Sequence, residues 1–125
     1  MEELIEFRRN RNTRGQWKCN VNPYVKLELP RGQFVFFKNT MDLMEFKHNT
    51  AVMFKFNRKD KCAYVFKEEP QDDSYYLRDN SRGYSRFTCK ELMLFFCEIF
   101  DIKDENNIYF LVEKLDNNWF KLTQE

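Results

Sequence analysis

Arg31–Phe66 reads RGQFVFFKNTMDLMEFKHNTAVMFKFNRKDKCAYVF, and it decides the fold. Pro30-Arg31-Gly32-Gln33 is a turn, with Pro early and Gly where a positive φ is needed. Phe34–Phe37 is apolar at every position, which predicts a strand buried on both faces. Asn39 or Thr40 can cap a short helix over Met41–Phe46. Lys47-His48-Asn49 is a loop, and Thr50–Phe56 is a strand with Val52, Phe54 and Phe56 on one face. Asn57–Lys61 is a charged turn. Cys62–Lys67 returns as a strand, with Tyr64 and Phe66 on one face and Ala63 and Val65 on the other.

Upstream, Tyr24–Leu29 alternates apolar and polar residues and predicts a strand that pairs across the Pro30–Gln33 turn. Before it lie Arg8, Arg9, Arg11, Arg14 and Lys18, with no acidic residue between Glu6 and Glu28. Asn10, Asn12, Thr13 and Gly15 are loop formers, so residues 1–23 read as a basic arm and lead-in, with Trp17 anchoring its end. Downstream, Glu68–Ser74 is an acidic linker carrying Pro70.

Past the linker the plan runs again. Tyr75–Arg78 and Ser85–Phe87 are strands around an Arg82-Gly83 turn. Thr88-x-x-Glu91 reads as a capping box for a helix whose Leu92, Phe95, Phe96, Ile99 and Phe100 share one face. Ile108–Val112 and Trp119–Leu122 complete the unit. Aligning Arg31-Gly32 on Arg82-Gly83 gives an offset of 51 and puts Phe36 on Phe87. After the second helix the offset becomes 56. It then matches Val52, Phe54 and Phe56 with Ile108, Phe110 and Val112, and Tyr64 and Phe66 with Phe120 and Leu122. The expected fold is α+β: a strand-rich, barrel-like body of two β-hairpin–helix–β-hairpin repeats, 24–67 and 75–125, related by a pseudo-twofold axis. Residues 24–125 are expected to form one compact domain.

The chain has 125 residues, 22 of them aromatic, with Gly and Pro at three each. A chain of this size buries roughly two-thirds of its unfolded surface, enough for a core without disulfides or metal. No signal peptide or membrane-spanning run is evident, and a cytoplasmic protein is expected. Cys19, Cys62, Cys89 and Cys97 form no C-x-x-C pair and are expected to be free thiols packed as small apolar groups. Charge is split along the chain. Residues 1–67 carry 14 Lys/Arg against 7 Asp/Glu (net +7), and residues 68–125 carry 7 against 13 (net −6). An anionic partner for the front half follows from this, or attraction between the halves or between copies.

The Arg31–Phe66 layout resembles the AbrB/MazE swapped-hairpin (SpoVT-AbrB type) family. Gly32-Gln33-Phe34-Val35-Phe36 sits on its Gly-containing motif, Leu43 and Phe46 on its short helix, Lys47–Thr50 on the following loop, and Arg58-Lys59-Asp60 on its hairpin turn. The resemblance implies a fused pseudo-dimer and a DNA-binding, transcription-regulating role. Gln33 and Tyr84 stand where the family has Arg, and Phe37 and Thr88 where it has Pro.

The sharpest functional expectation is binding of double-stranded DNA by a non-enzyme. Arg8, Arg9, Arg11, Arg14 and Lys18 would contact phosphates, with Arg31, Lys38, Arg58, Lys59 and Lys61 extending the basic surface. The competing expectation is a protein-interaction module whose acidic back half meets a basic partner or a second copy. Phe34, Phe36, Tyr64 and Phe66 have the strand spacing of a base-stacking platform, a spacing that core residues share. His48 is the single histidine and has no Cys or Ser partner close in sequence. Glu68-Glu69 and Asp72-Asp73 are adjacent pairs whose side chains diverge, and the three glycines are isolated. No catalytic residue, metal site or cofactor is expected.

Overall fold

The structure, a computed structural model, describes residues 22–79, 83–103, 106–115 and 118–125. Among them are nine strands: β1 Tyr24–Glu28, β2 Gln33–Phe36, β3 Ala51–Asn57, β4 Cys62–Lys67, β5 Tyr75–Tyr76, β6 Arg78–Asp79, β7 Ser85–Thr88, β8 Ile108–Lys114 and β9 Phe120–Gln124. The helices are α1 Lys38–Met44 and α2 Lys90–Phe100. The strands form one antiparallel sheet in the order β5-β3-β4-β9-β8-β1-β2-β7-β6. Its two edge strands are separated in sequence by Leu77 alone, so one short segment pairs with β3 at its start and β7 at its end. The sheet therefore curls into a nearly closed barrel, which leaves little unpaired edge.

Strand direction alternates along the sheet, so β1 and β3 point the same way and the β1–β2 and β3–β4 turns leave the same mouth. The second helix crosses that mouth. Its start packs on Gly32, whose carbonyl accepts from the Cys89 N–H at 2.9 Å, and near its end Glu98 pairs with Arg58 at 3.0 Å. The first helix follows β2 and covers the other mouth, where the Phe46 ring meets Phe120 edge-on at 5.7 Å.

Inward positions of the strands and both helices make one core. Phe96 of α2 is fully buried and meets the rings of Phe34, Phe54, Phe56, Phe100 and Phe110 at 5.0–5.7 Å. Each such ring pair adds about 0.5–1.5 kcal/mol beyond the area it buries. The expected two-faced burial of FVFF holds. Phe34 and Phe36 face the core, while Val35 and Phe37 pack outside with Tyr24, Tyr84 and Tyr109. Thr40 donates from Oγ1 to the Tyr24 carbonyl at 2.7 Å, tying α1 to β1.

Several sequence expectations need correction. The first helix starts earlier, after Phe37, and no side chain caps it; Thr40 is turned inward to β1 instead. The second is not capped by Thr88, which ends β7. Its N-cap is Cys89, whose Sγ accepts from the Leu92 N–H at 3.4 Å. Phe95 is 38 % exposed, and Met93 takes its place on the buried face. The match of Tyr64 and Phe66 with Phe120 and Leu122 fails on facing: the first pair lies outside the barrel half-buried, and the second pair is in the core. Cys62, Cys89 and Cys97 are free thiols, the first buried and the others half-buried.

Candidate nucleic-acid interface

Arg8, Arg9, Arg11, Arg14 and Lys18 lie outside the described residues. The other five predicted contacts are all exposed, but Lys38 starts α1 and stands at the opposite mouth from the rest. Arg31 sits on the β1–β2 turn, and Arg58, Lys59 and Lys61 on the β3–β4 turn, so the fold brings them to the one mouth that α2 crosses. The β3–β4 turn is built by its own side chains. Asn57 accepts from the Asp60 N–H at 3.1 Å and donates to the Asp60 carboxylate at 2.9 Å, while Lys61 closes the turn at φ 51°. Lys90 adds a cation beside Gly32.

This mouth is not uniformly basic. Asp60, Glu91, Glu98 and Asp101 are exposed among the cations, and Arg58 is already paired with Glu98. Both partners of that pair are more than half exposed, so it contributes at most about 1 kcal/mol and yields easily to a phosphate. The mouth also shows apolar surface: Leu94 is 62 % exposed, and the Phe95 ring lies 4.7 Å from Phe56.

A second site lies at the α1 mouth, which sequence reasoning did not assemble. Phe66 of β4 and Trp119 stack in parallel, centroids 4.8 Å apart, with Tyr64 5.8 Å from Trp119. The Lys55 ammonium lies 5.3 Å from the Phe66 centroid and 5.0 Å from that of Trp119. Beside the rings is a cleft of about 620 Å³, lined by Glu45, Phe46, Phe66, Glu68, Glu69 and Trp119 among others. The signal was present in the alternation of Cys62–Lys67, which puts Tyr64 and Phe66 opposite the buried Ala63 and Val65. Only the β4–β9 pairing brings Trp119 to them.

The four aromatics whose spacing a stacking platform and a core share are thereby divided. Phe34 and Phe36 are fully buried, and Tyr64 and Phe66 are at the surface. Tyr64 has its phenol pushed above the ordinary value, chiefly by its hydrogen bond with Cys62. His48 lies in a separate cleft of about 300 Å³ with Lys38, Asp42, Asp79 and Ser85. Its Nδ1 accepts from the Asp79 N–H at 3.0 Å, and the Ser85 hydroxyl donates to the Asp79 carboxylate. That arrangement joins the α1 loop to β6.

Among the described residues, no cluster of three or more His, Cys, Asp or Glu is placed to hold a metal ion. No helix among them is long and apolar enough to cross a membrane. No protein-family profile matches the chain, and neither a curated protein nor a solved structure matches it.

Proposed function

We propose that the chain is a non-enzymatic DNA-binding protein of the cytoplasm, regulatory or accessory in role. It holds phosphates through Arg8, Arg9, Arg11, Arg14 and Lys18 together with the cations of the α2 mouth. The observation that carries the reading is the convergence of Arg31, Arg58, Lys59 and Lys61, all exposed, on one mouth of the barrel, in the half of the chain that carries net +7.

The body, on this reading, is two copies of one hairpin–helix–hairpin unit about a pseudo-twofold axis, as the swapped-hairpin resemblance implies. Three observations support it. With β5–β6 counted as one strand, exchanging β1 with β5–β6, β2 with β7, β3 with β8 and β4 with β9 keeps every neighbour pair and runs the cyclic order in reverse, as a twofold across the barrel axis requires. Val35 faces Arg86 across β2–β7 at the offset of 51 read from the two Arg-Gly turns. Glu45 and Asp101, 56 apart, end the two helices in the same left-handed conformation (φ 58° and 56°). In the last strand Ala63 then takes the place of Leu122, its own partner across β4–β9. The bend at Leu77 is where the second unit departs from the first.

The test is anisotropy of a labelled mixed-sequence duplex across a salt series, with the full chain and with a variant carrying Gln at Arg8, Arg9, Arg11 and Arg14. The expected result is salt-steep binding whose logarithmic slope falls by roughly 0.9 for each phosphate the variant no longer neutralises. No binding at low salt, or an unchanged slope, refutes the reading. The exposed Leu94 and Phe95 among acidic residues favour a second reading, a protein-interaction surface on α2. Sedimentation of wild type against Leu94→Ser tests it, with concentration-dependent self-association abolished in the variant as the expected result.

A further inference from the structure

The cleft at the α1 mouth combines two features that favour a positive charge. Its apolar wall is the parallel Phe66–Trp119 pair with Phe46, and aromatic faces carry the negative end of the ring quadrupole. An ammonium already uses that property, because Lys55 reaches over both rings at 5.3 and 5.0 Å. Among the described residues, its polar wall carries three carboxylates, Glu45, Glu68 and Glu69, against one cation, Lys67.

The carboxylates stand on fixed backbone. Glu68 donates its N–H to the Ala51 carbonyl at 2.9 Å, and its Oε2 accepts from Ser74 Oγ at 2.8 Å. Glu45 is the left-handed residue that ends α1, its N–H 3.2 Å from the Asp42 carbonyl. A phosphate would meet three negative charges here, so the nucleic-acid reading of the other mouth does not extend to this cleft. A guanidinium suits both walls: its plane stacks on Trp119, and its fork of N–H donors matches a carboxylate.

We infer that this cleft is a recognition site for an arginine side chain of a basic peptide, stacked against Phe66 and Trp119 and hydrogen-bonded to Glu68 or Glu69. Lys55 is displaced from the rings on binding, and its flexible stem lets it swing into solvent. Among the described residues, none of the cations proposed to hold phosphate, Arg31, Arg58, Lys59 and Lys61, lines this cleft, so arginine recognition here is tested separately from DNA binding.

The experiment titrates an oligoarginine peptide into the full chain carrying Trp17→Phe, so that Trp119 is the single indole reporter. Anisotropy of the labelled peptide is followed in parallel. The expected result is a saturable change in Trp119 emission at the same midpoint as the anisotropy. Glu68→Gln with Glu69→Gln should weaken binding about tenfold. Trp119→Leu should weaken it about 2- to 30-fold. An oligolysine peptide of equal length should bind more weakly, because it cannot stack or fork. Should Trp119→Leu perturb the fold by circular dichroism, the glutamine variant and the emission change still decide. Binding that both variants leave unchanged is diffuse attraction to an acidic surface and overturns the inference. So does an absence of any Trp119 response at millimolar peptide, or a response to oligothymidine in place of the peptide. Loss of duplex binding in the arm variant, with peptide binding intact, separates the two readings.

Discussion

Replacing Gly32 with alanine tests how α2 is seated on the barrel, and Gly83 supplies the control. Both glycines have positive φ, +79° and +86°, where an L side chain is strained. That conformational cost is about 1–2 kcal/mol and applies to both. They differ in surroundings. A Cβ on Gly32 would lie 3.1 Å from Lys90 Cα and 3.2 Å from both the Cys89 carbonyl oxygen and the Lys90 nitrogen. A Cβ on Gly83 would meet none of the described residues within 4 Å. The Gly32 neighbours are backbone at the start of α2, locked by the 2.9 Å bond from the Cys89 N–H to the Gly32 carbonyl. They cannot turn aside as a side-chain tip would. Overpacking against such a wall costs about 1–3 kcal/mol more. Gly83→Ala should therefore lose about 1–2 kcal/mol, and Gly32→Ala about 2–5. With a urea m-value of about 1–3 kcal/mol/M, the two midpoints should differ by roughly 1 M. Urea melts followed by circular dichroism measure this directly. Equal midpoints, or a larger loss at Gly83, would refute the view that close backbone approach at Gly32 holds α2 across the mouth.

Phe96→Ala should cost about 3–5 kcal/mol in the same assay, because the ring is the buried hub of the core, whereas Leu94→Ala on the exposed side of α2 should stay within about 0.5. Thr40→Val removes the buried 2.7 Å bond to the Tyr24 carbonyl at nearly constant volume and should cost about 1–3 kcal/mol; a neutral result would mean that α1 is held by packing alone. Burial pushes the Cys97 thiol up, so its thiolate is disfavoured in the fold. The neutral thiol's stabilisation is complete below the ordinary thiol pKa of about 8.5 and is lost as pH rises through the folded value. Urea midpoints should accordingly fall on going from neutral to alkaline pH, less steeply in Cys97→Ala, and a midpoint that rises with pH would contradict the assignment. Tyr75 shifts the same way, by burial first and then by Cys89, so the decline should continue into the tyrosine range.

The local elements were legible because their causes are local. Alternation in Tyr24–Leu29 and Cys62–Lys67, the all-apolar FVFF and the helical spacing of Leu92, Phe96, Ile99 and Phe100 each follow from side-chain periodicity along one segment. Periodicity also separated the faces of β4 correctly, and the gathering of Phe, Tyr and Trp announced a core dense in rings. Where local signals competed, sequence reasoning erred. Thr88 and Cys89 both precede the second helix, and the choice fell to Cys89 because the β2–β7 ladder holds Thr88 opposite Gln33. Thr40 looked like a cap, but its hydroxyl is claimed by β1.

Which residues meet across the barrel was settled by tertiary structure alone. Trp119 reaches Phe66 only because β9 pairs with β4, more than fifty residues away in sequence. Glu45 joins Glu68 and Glu69 only because α1 and the end of β4 arrive at the same mouth. Arg58 finds Glu98 only because α2 spans the other mouth. Periodicity tells a side chain which face it occupies, and it carries no information about which distant strand will lie beside it. That choice is made by closing the sheet around one shared aromatic core, and with it come the acidic cleft at one end of the barrel and the mixed, cation-bearing surface at the other.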